Sequence, residues 1–283
     1  GFTVTAGNDS SSKSNNAGAN GRTYVDWCWK AGGGSTSSNS DGDVTSTVSV
    51  NSTAGFSIVT YTGSGSAATV GHGVGVNPGV IIIKARTTPT GGVHFGSSQG
   101  NWVVYHQGTA SDPETDLLLL NKNSAVSDST GHMNDTAPTT SVFTIHTNVD
   151  VNESSDTYVA YCFAEVQGYS KFGSYTGNGS TDGPFVYLGF KPAWVMVKQT
   201  TTANRDWRVI DAARSPFNLA DDEIKPNSND GESTSGMQLN LTANGFKIKT
   251  SSTACNSNGD SYIYLAFAQH PFVTSSGVPV GAK

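Results

Sequence analysis

Two groups of carboxylates and amides raise the question of chemistry first. Asp112, Glu114 and Asp116 in SDPETD stand at i, i+2 and i+4, a spacing that puts all three on one face of an extended strand. Carboxylates a few ångströms apart are what acid/base hydrolysis of a glycosidic bond requires. Pro113 and the LLLL run that follows instead predict a solvated loop leading into a strand. Asn227, Asn229, Asp230 and Glu232, with Gly231 among them, offer the oxygens and flexible turn that calcium takes, and Asp41, Gly42 and Asp43 offer a smaller set. Polar-turn composition accounts for both without a metal, so the expectation is no cofactor, with calcium the one ion these loops could hold.

Other reactive side chains are scattered. His72, His94, His106, His132, His146 and His270 form no i, i+2 or i, i+4 pair, and His72 in VGHGVG lacks the Lys and Ser/Thr of a phosphate loop. No G-x-S-x-G elbow precedes a helix. Three cysteines make no disulfide framework; Cys28 and Cys162 read as small buried residues and Cys255, in TACNSNGD, as a free thiol. Trp102, Trp194 and Trp207 fall at apolar positions and are expected in the core. Sugar contacts belong on loops, and the stretch 92–100 with His94 and Phe95 is the candidate.

The elements that must position these residues are strands. YVAYCFAE, residues 158–165, has drifted copies at 24–29 and 262–267. Successive strand side chains alternate between faces, so one face reads Val159/Tyr161/Phe163, then Ile263/Leu265/Phe267, bulky each time; the other is smaller. Matching continues at a fixed offset: Tyr61 and Tyr175, Pro78 and Pro192, and Lys84 and Lys198 are each 114 residues apart. NWVVYH then matches DWRVID, LLLLN matches MQLNL, and VFTIHT matches GFKIKT. Each Lys is expected to carry its charge to the rim. With 33 Gly, abundant Ser, Thr and Asn, and only 13% charged residues, the grammar is all-β. The expected organisation is a closing hairpin of a truncated first repeat at 1–30, with Phe2–Thr5 as its other strand, and a Gly/Ser/Thr-rich linker at 31–54, where the alternation of Val44, Val48 and Val50 permits a short strand at the end. Antiparallel β-sandwich repeats in tandem follow at 55–167 and 168–273, with a tail at 274–283. Asp211–Glu223 is interrupted by Pro216 and predicts a turn rather than a helix.

A net charge of −6 with 16 Lys and Arg provides no basic stripe, which argues against nucleic acid as a partner. No apolar run approaches a membrane-spanning length, so membrane insertion is not expected.

GFSIVTYTGSGS, VIIIKAR, YVAYCFAEVQGYSKFGSYTGNGS, YIYLAFAQHPF and the WCWKAGG junction together resemble an uncharacterised β-repeat family of virion and tail-fibre-like proteins of tailed bacteriophages, notably marine and cyanobacterial phages. The resemblance covers essentially the whole chain and carries no catalytic residues. It implies jelly-roll or concanavalin-like sandwich modules, a virion or extracellular location, other virion proteins as partners, and a homo-oligomer that meets host-surface glycans. The expected function is therefore non-enzymatic attachment. A capsid decoration protein is the alternative, and a polysaccharide-degrading enzyme ranks below both.

Overall fold

A computed structural model describes residues 24–87 and 100–270. The chain is mostly β, built from antiparallel sheets. The strands of its first half are β1 (Ser37–Asn39), β2 (Ser46–Asn51), β3 (Phe56–Thr62), β4 (Ala68–Gly71), β5 (Val80–Ala85), β6 (Trp102–His106), β7 (Asp116–Leu119), β8 (Ser127–Asp128), β9 (Val142–Ile145) and β10 (Thr157–Phe163). Those of the second half are β11 (Ser170–Thr176), β12 (Phe185–Tyr187), β13 (Pro192–Gln199), β14 (Arg208–Asp211), β15 (Leu239–Thr242), β16 (Gly245–Ile248) and β17 (Ser261–Ala268). An eight-stranded sheet, ordered β1-β2-β3-β10-β5-β6-β7-β8, faces the β4-β9 pair; a four-stranded sheet, β11-β17-β13-β14, faces the β12-β16-β15 sheet. Two helices of four residues, α1 (Thr130–Met133) and α2 (Val149–Asn152), lie in first-half loops.

The order β3-β10-β5-β6 recurs as β11-β17-β13-β14, and the likeness reaches single hydrogen bonds. Tyr61 stacks on Tyr158 at 5.3 Å and Tyr175 on Tyr262 at 5.0 Å. Tyr61 Oη donates to Val151 O and Tyr175 Oη to Cys255 O, each at 2.8 Å. Behind each pair a fully buried asparagine holds the YTG-x-GS loop. Asn152 Oδ1 accepts from Ser64 N (2.7 Å) while its Nδ2 donates to Ser66 O and His146 O. Asn256 Oδ1 accepts from Asn178 N (2.8 Å) while its Nδ2 donates to Ser180 O and Thr250 O. A Cβ on Gly63 or Gly177 would stand 2.1 Å from a backbone oxygen, so this approach requires glycine at both. The repeated tyrosines, glycines and asparagines thus satisfy backbone groups that loops would otherwise bury unpaired.

The strand pattern places its two faces differently from the simplest expectation. Tyr158, Ala160 and Cys162, the smaller set, fill the core of the first half, as Tyr262, Tyr264 and Ala266 fill that of the second. The bulky set, including Tyr161, Phe163, Ile263, Leu265 and Phe267, meets in a third apolar cluster where the two large sheets pack on each other. Bulk on the outer face is explained by a partner sheet within the same chain.

Several expectations are corrected. Within residues 31–54 the short strand that Val44, Val48 and Val50 permit is β2, which pairs with β3 and buries Val48 at 4% exposure; β1, paired with β2, falls where only linker is expected. Among the described residues Tyr24–Trp29 pairs with no strand; it crosses the third cluster, where Trp29 meets Trp194 (5.4 Å) and Phe267 (5.3 Å) edge-on. LLLLN and MQLNL are not equivalents. β7 joins β6 in the large sheet, whereas β15 pairs with β16, and the second-half residue facing β14 is Ile224, bridged to Val209. Lys198 is not at the rim: it is 1% exposed, donates from Nζ to Gln199 O (2.6 Å), and burial lowers its pKa to about 8. Cys28, expected to be buried, is exposed; Cys162 is buried as expected, and Cys255 is a free thiol as expected, though buried. The segment after β14 turns without a helix. Phe2–Thr5 and the tail at 274–283 lie outside the described residues.

Candidate functional site

An open groove of about 840 Å³ forms where residues 24–27 lie against the end of β14 and the segment that follows it. Tyr24, Asp26, Trp27, Asp211, Arg214, Asp230 and Glu232 line it. Asp211 is its organising residue. Its Oδ1 accepts from the N–H groups of Ala213 and Arg214, both at 3.0 Å, which shapes the turn leaving β14. Its Oδ2 accepts from Trp27 Nε1 (3.1 Å) and Arg214 Nε (2.7 Å). Burial pushes the Asp211 carboxyl up, but its bonds to Arg214 and that residue's charge outweigh burial and leave it below the ordinary carboxylate value. Arg214 also reaches Glu232 at 2.8 Å and sits 5.8 Å over the Trp27 ring, an arrangement that adds cation–π attraction to the ion pair.

Four carboxylates (Asp26, Asp211, Asp230 and Glu232) therefore face one guanidinium across the groove. Arg214 is engaged by two of them, so the surface does not invite an anion. Exposed aromatic area from Tyr24, 51% exposed, beside carboxylates with free lone pairs suits a hydroxyl-rich ligand, which stacks its C–H face and donates its O–H groups.

The expected site residues divide among other places. His94 and Phe95 lie outside the described residues. Asp112 precedes a single 3-10 turn, Pro113–Thr115, and Asp116 opens β7; the triplet is a loop entering a strand, and its members do not share one strand face. The Asp116 carboxyl is raised by burial and by the charges of Asp112 and Asp128. Asn227 accepts from Trp207 N (2.9 Å) and donates to Asp206, a structural duty that Asn121 repeats toward Trp102. Asn229 is exposed, Asp230 pairs with Lys225 (3.0 Å) and Glu232 with Arg214. Among the described residues no three His, Cys, Asp or Glu side chains come together as a metal site. Asp230 and Glu232 do share a groove, but with Tyr24 and Arg214. Sequence reasoning missed Tyr24, Trp27, Arg214 and Asp211 because 187 residues separate the two sides, and Tyr24–Trp29 reads as a buried strand. Of the three tryptophans expected in the core, Trp207 and Trp194 are buried and Trp102 is partly so, stacking on Tyr161 at 6.4 Å.

Among the described residues the nearest approach to a nucleophile and base is Ser129 Oγ at 2.8 Å from His132 Nδ1. The pair spans the first turn of α1, and the ring is 1% exposed. Burial lowers its pKa to about 4, against the opposing influence of Asp150.

No curated protein and no solved structure matches this chain. One family does, described as a domain of unknown function, and the match spans residues 1–271. With nearly its whole length matched, the chain belongs to that family, DUF7483.

Proposed function

We propose that the chain is a non-enzymatic attachment module of a tailed-phage virion surface, of tail-fibre type, built from tandem jelly-roll or concanavalin-like sandwiches and engaging host-surface glycans. The observation that carries the binding half of this reading is the groove of Tyr24, Trp27, Arg214, Asp230 and Glu232, which combines an exposed ring with hydroxyl acceptors. The virion half rests on the resemblance of the repeats. The two halves, clamped through the third apolar cluster, provide the stiffness an appendage needs, and many copies displayed together would turn weak single-site affinity into avidity.

The test is binding of the chain, clustered on a multivalent scaffold, to a glycan array and to intact host cells. Tyr24→Ala and Glu232→Gln should each lower binding at least tenfold while leaving thermal unfolding unchanged. Unchanged binding in both variants refutes the groove. Covalent labelling of Ser129 by a fluorophosphonate, together with release of reducing ends from host polysaccharide, would replace the attachment reading with an enzymatic one.

A further inference from the structure

The first half closes its open flank with its own chain, and among the described residues the second half does not. β2 lies along β3, pairing Thr47 with Thr60 and Ser49 with Ile58. The residues leading into β2, with its first residue Ser46, run along the outer edge of β4. There Val44 N donates to Thr69 O (3.0 Å), Ser46 Oγ donates to Gly71 O (2.7 Å), and Val44 bridges Val70. Val48 and Val50 close over Gly73: a Cβ built there would stand 3.0 Å from Val50 Cγ2.

The corresponding edges of the second half are bare among the described residues. β11 pairs only with β17, and β12 only with β16. Val186 faces Phe246 as Val70 faces Phe143, so Phe185 and Tyr187 take the places of Thr69 and Gly71 and turn their backbone groups outward. They are 46% and 63% exposed. On β11 the outward N–H and C=O of Phe172 are capped by the side chains of Glu165 (2.8 Å) and Gln107 (2.9 Å). Ser174 and Thr176, facing the same way, are exposed. Between the two edges lies a groove of about 360 Å³ lined by Glu165, Ser170, Lys171, Tyr187 and Gly189. Gly189 shares the positive φ of Gly73, 82° against 69°. The groove is therefore the space that Val48 and Val50 fill in the first half.

We infer that this seam is a strand-addition site for an extended segment of a partner protein, patterned like residues 43–50, DVTSTVSV. Such a segment carries valine-sized side chains at the places of Val44, Val48 and Val50 and small hydroxyl residues between them. Unpaired strand edges are templates for such addition, and the first half supplies the template for the partner's side chains and register. The inference is independent of the glycan groove, which lies on the β14 side.

The experiment titrates a fluorescent peptide of residues 41–53 against the full chain by anisotropy and maps it by hydrogen exchange. Saturable binding is expected, with new protection at Ser174–Thr176 and Phe185–Tyr187. A peptide with aspartate replacing both Val48 and Val50 should bind at least tenfold more weakly. Ser174→Pro in the chain, which removes an outward donor that an edge strand can spare, should do the same without lowering its unfolding temperature. Absence of saturable binding at millimolar peptide overturns the inference, as does equal binding of the aspartate peptide or protection confined to β3 and β4. A micromolar dimer of the free chain that Ser174→Pro dissolves would assign the seam to a second copy instead.

Discussion

Replacing Asn152 or Asn256 by aspartate changes one atom group in a fully buried side chain and tests whether the two halves depend on the same corner. In each, Nδ2 donates to two backbone carbonyls, at 2.6 and 2.8 Å for Asn152 and 2.7 and 2.8 Å for Asn256. Aspartate turns that donor into an acceptor facing two oxygens. Ser66 O and Ser180 O belong to exposed residues and His146 O and Thr250 O to half-buried ones, so about one acceptor in each corner is left unsatisfied away from water, at about 1–3 kcal/mol, before any charge repulsion. With a urea m-value of about 3 kcal/mol/M, the midpoint should fall by roughly 0.3–1 M in either variant. Burial against carbonyl oxygens raises the folded pKa of the new carboxyl above its unfolded value near 3.9, and a protonated carboxyl recovers one donor, so the deficit relative to wild type should shrink as pH falls from neutral toward about 4 and stay level below it. Midpoints read by tryptophan fluorescence and far-UV dichroism would check this. Shifts below about 0.3 M in both variants would show that the asparagines do not hold the loops. A large shift in only one would show that the corner matters in one half alone.

Buried histidines give a second expectation. His106 is fully buried, donates from Nε2 to Tyr264 O (3.0 Å), accepts at Nδ1 from Gly108 N (3.0 Å), and burial lowers its pKa to about 4. Its folded value lies below the unfolded one near 6.5, so the unfolded chain binds the extra proton; stability should be full above pH 6.5 and fall toward pH 4, by up to ~3 kcal/mol for this residue. Urea midpoints across that range should fall less steeply in His106→Gln, the buried His132 keeping part of the slope. Trp29→Ala, which removes rings packed on Trp194, Phe163 and Phe267, should cost about 2–4 kcal/mol, measured by the same denaturation. Thiol titration should find Cys28 alone reactive in the native chain, and Asp26→Asn should speed its labelling near pH 8, since the Asp26 hydrogen bond raises the Cys28 pKa.

Some of this was legible in order and spacing. The 114-residue offset between the YTG-x-GS stretches announces two equivalent corners, and the structure supplies both, down to matching tyrosine stacks. The offset fails where loops differ in length: MQLNL copies the apolar rhythm of LLLLN, yet the two strands join different sheets. Apolar rhythm reports only that a strand is half buried, not which neighbour buries it. In residues 37–51 the alternation of Val44, Val48 and Val50 hints at β2, but β1 is so rich in Ser and Asn that its edge pairing leaves no apolar signal.

The amino-acid order by itself determined the β class, because alternation, glycine turns and repeated Tyr and Asn positions act over a few residues and need no knowledge of neighbours. Only the tertiary structure decided which face of YVAYCFAE looks into its own half and which meets the other sheet, since a period of two marks faces but does not name their partners. It also decided that Tyr24 and Trp27 meet Arg214 and Glu232. A groove assembled across 187 residues exists only when two sheets pack and a tryptophan segment is laid across them.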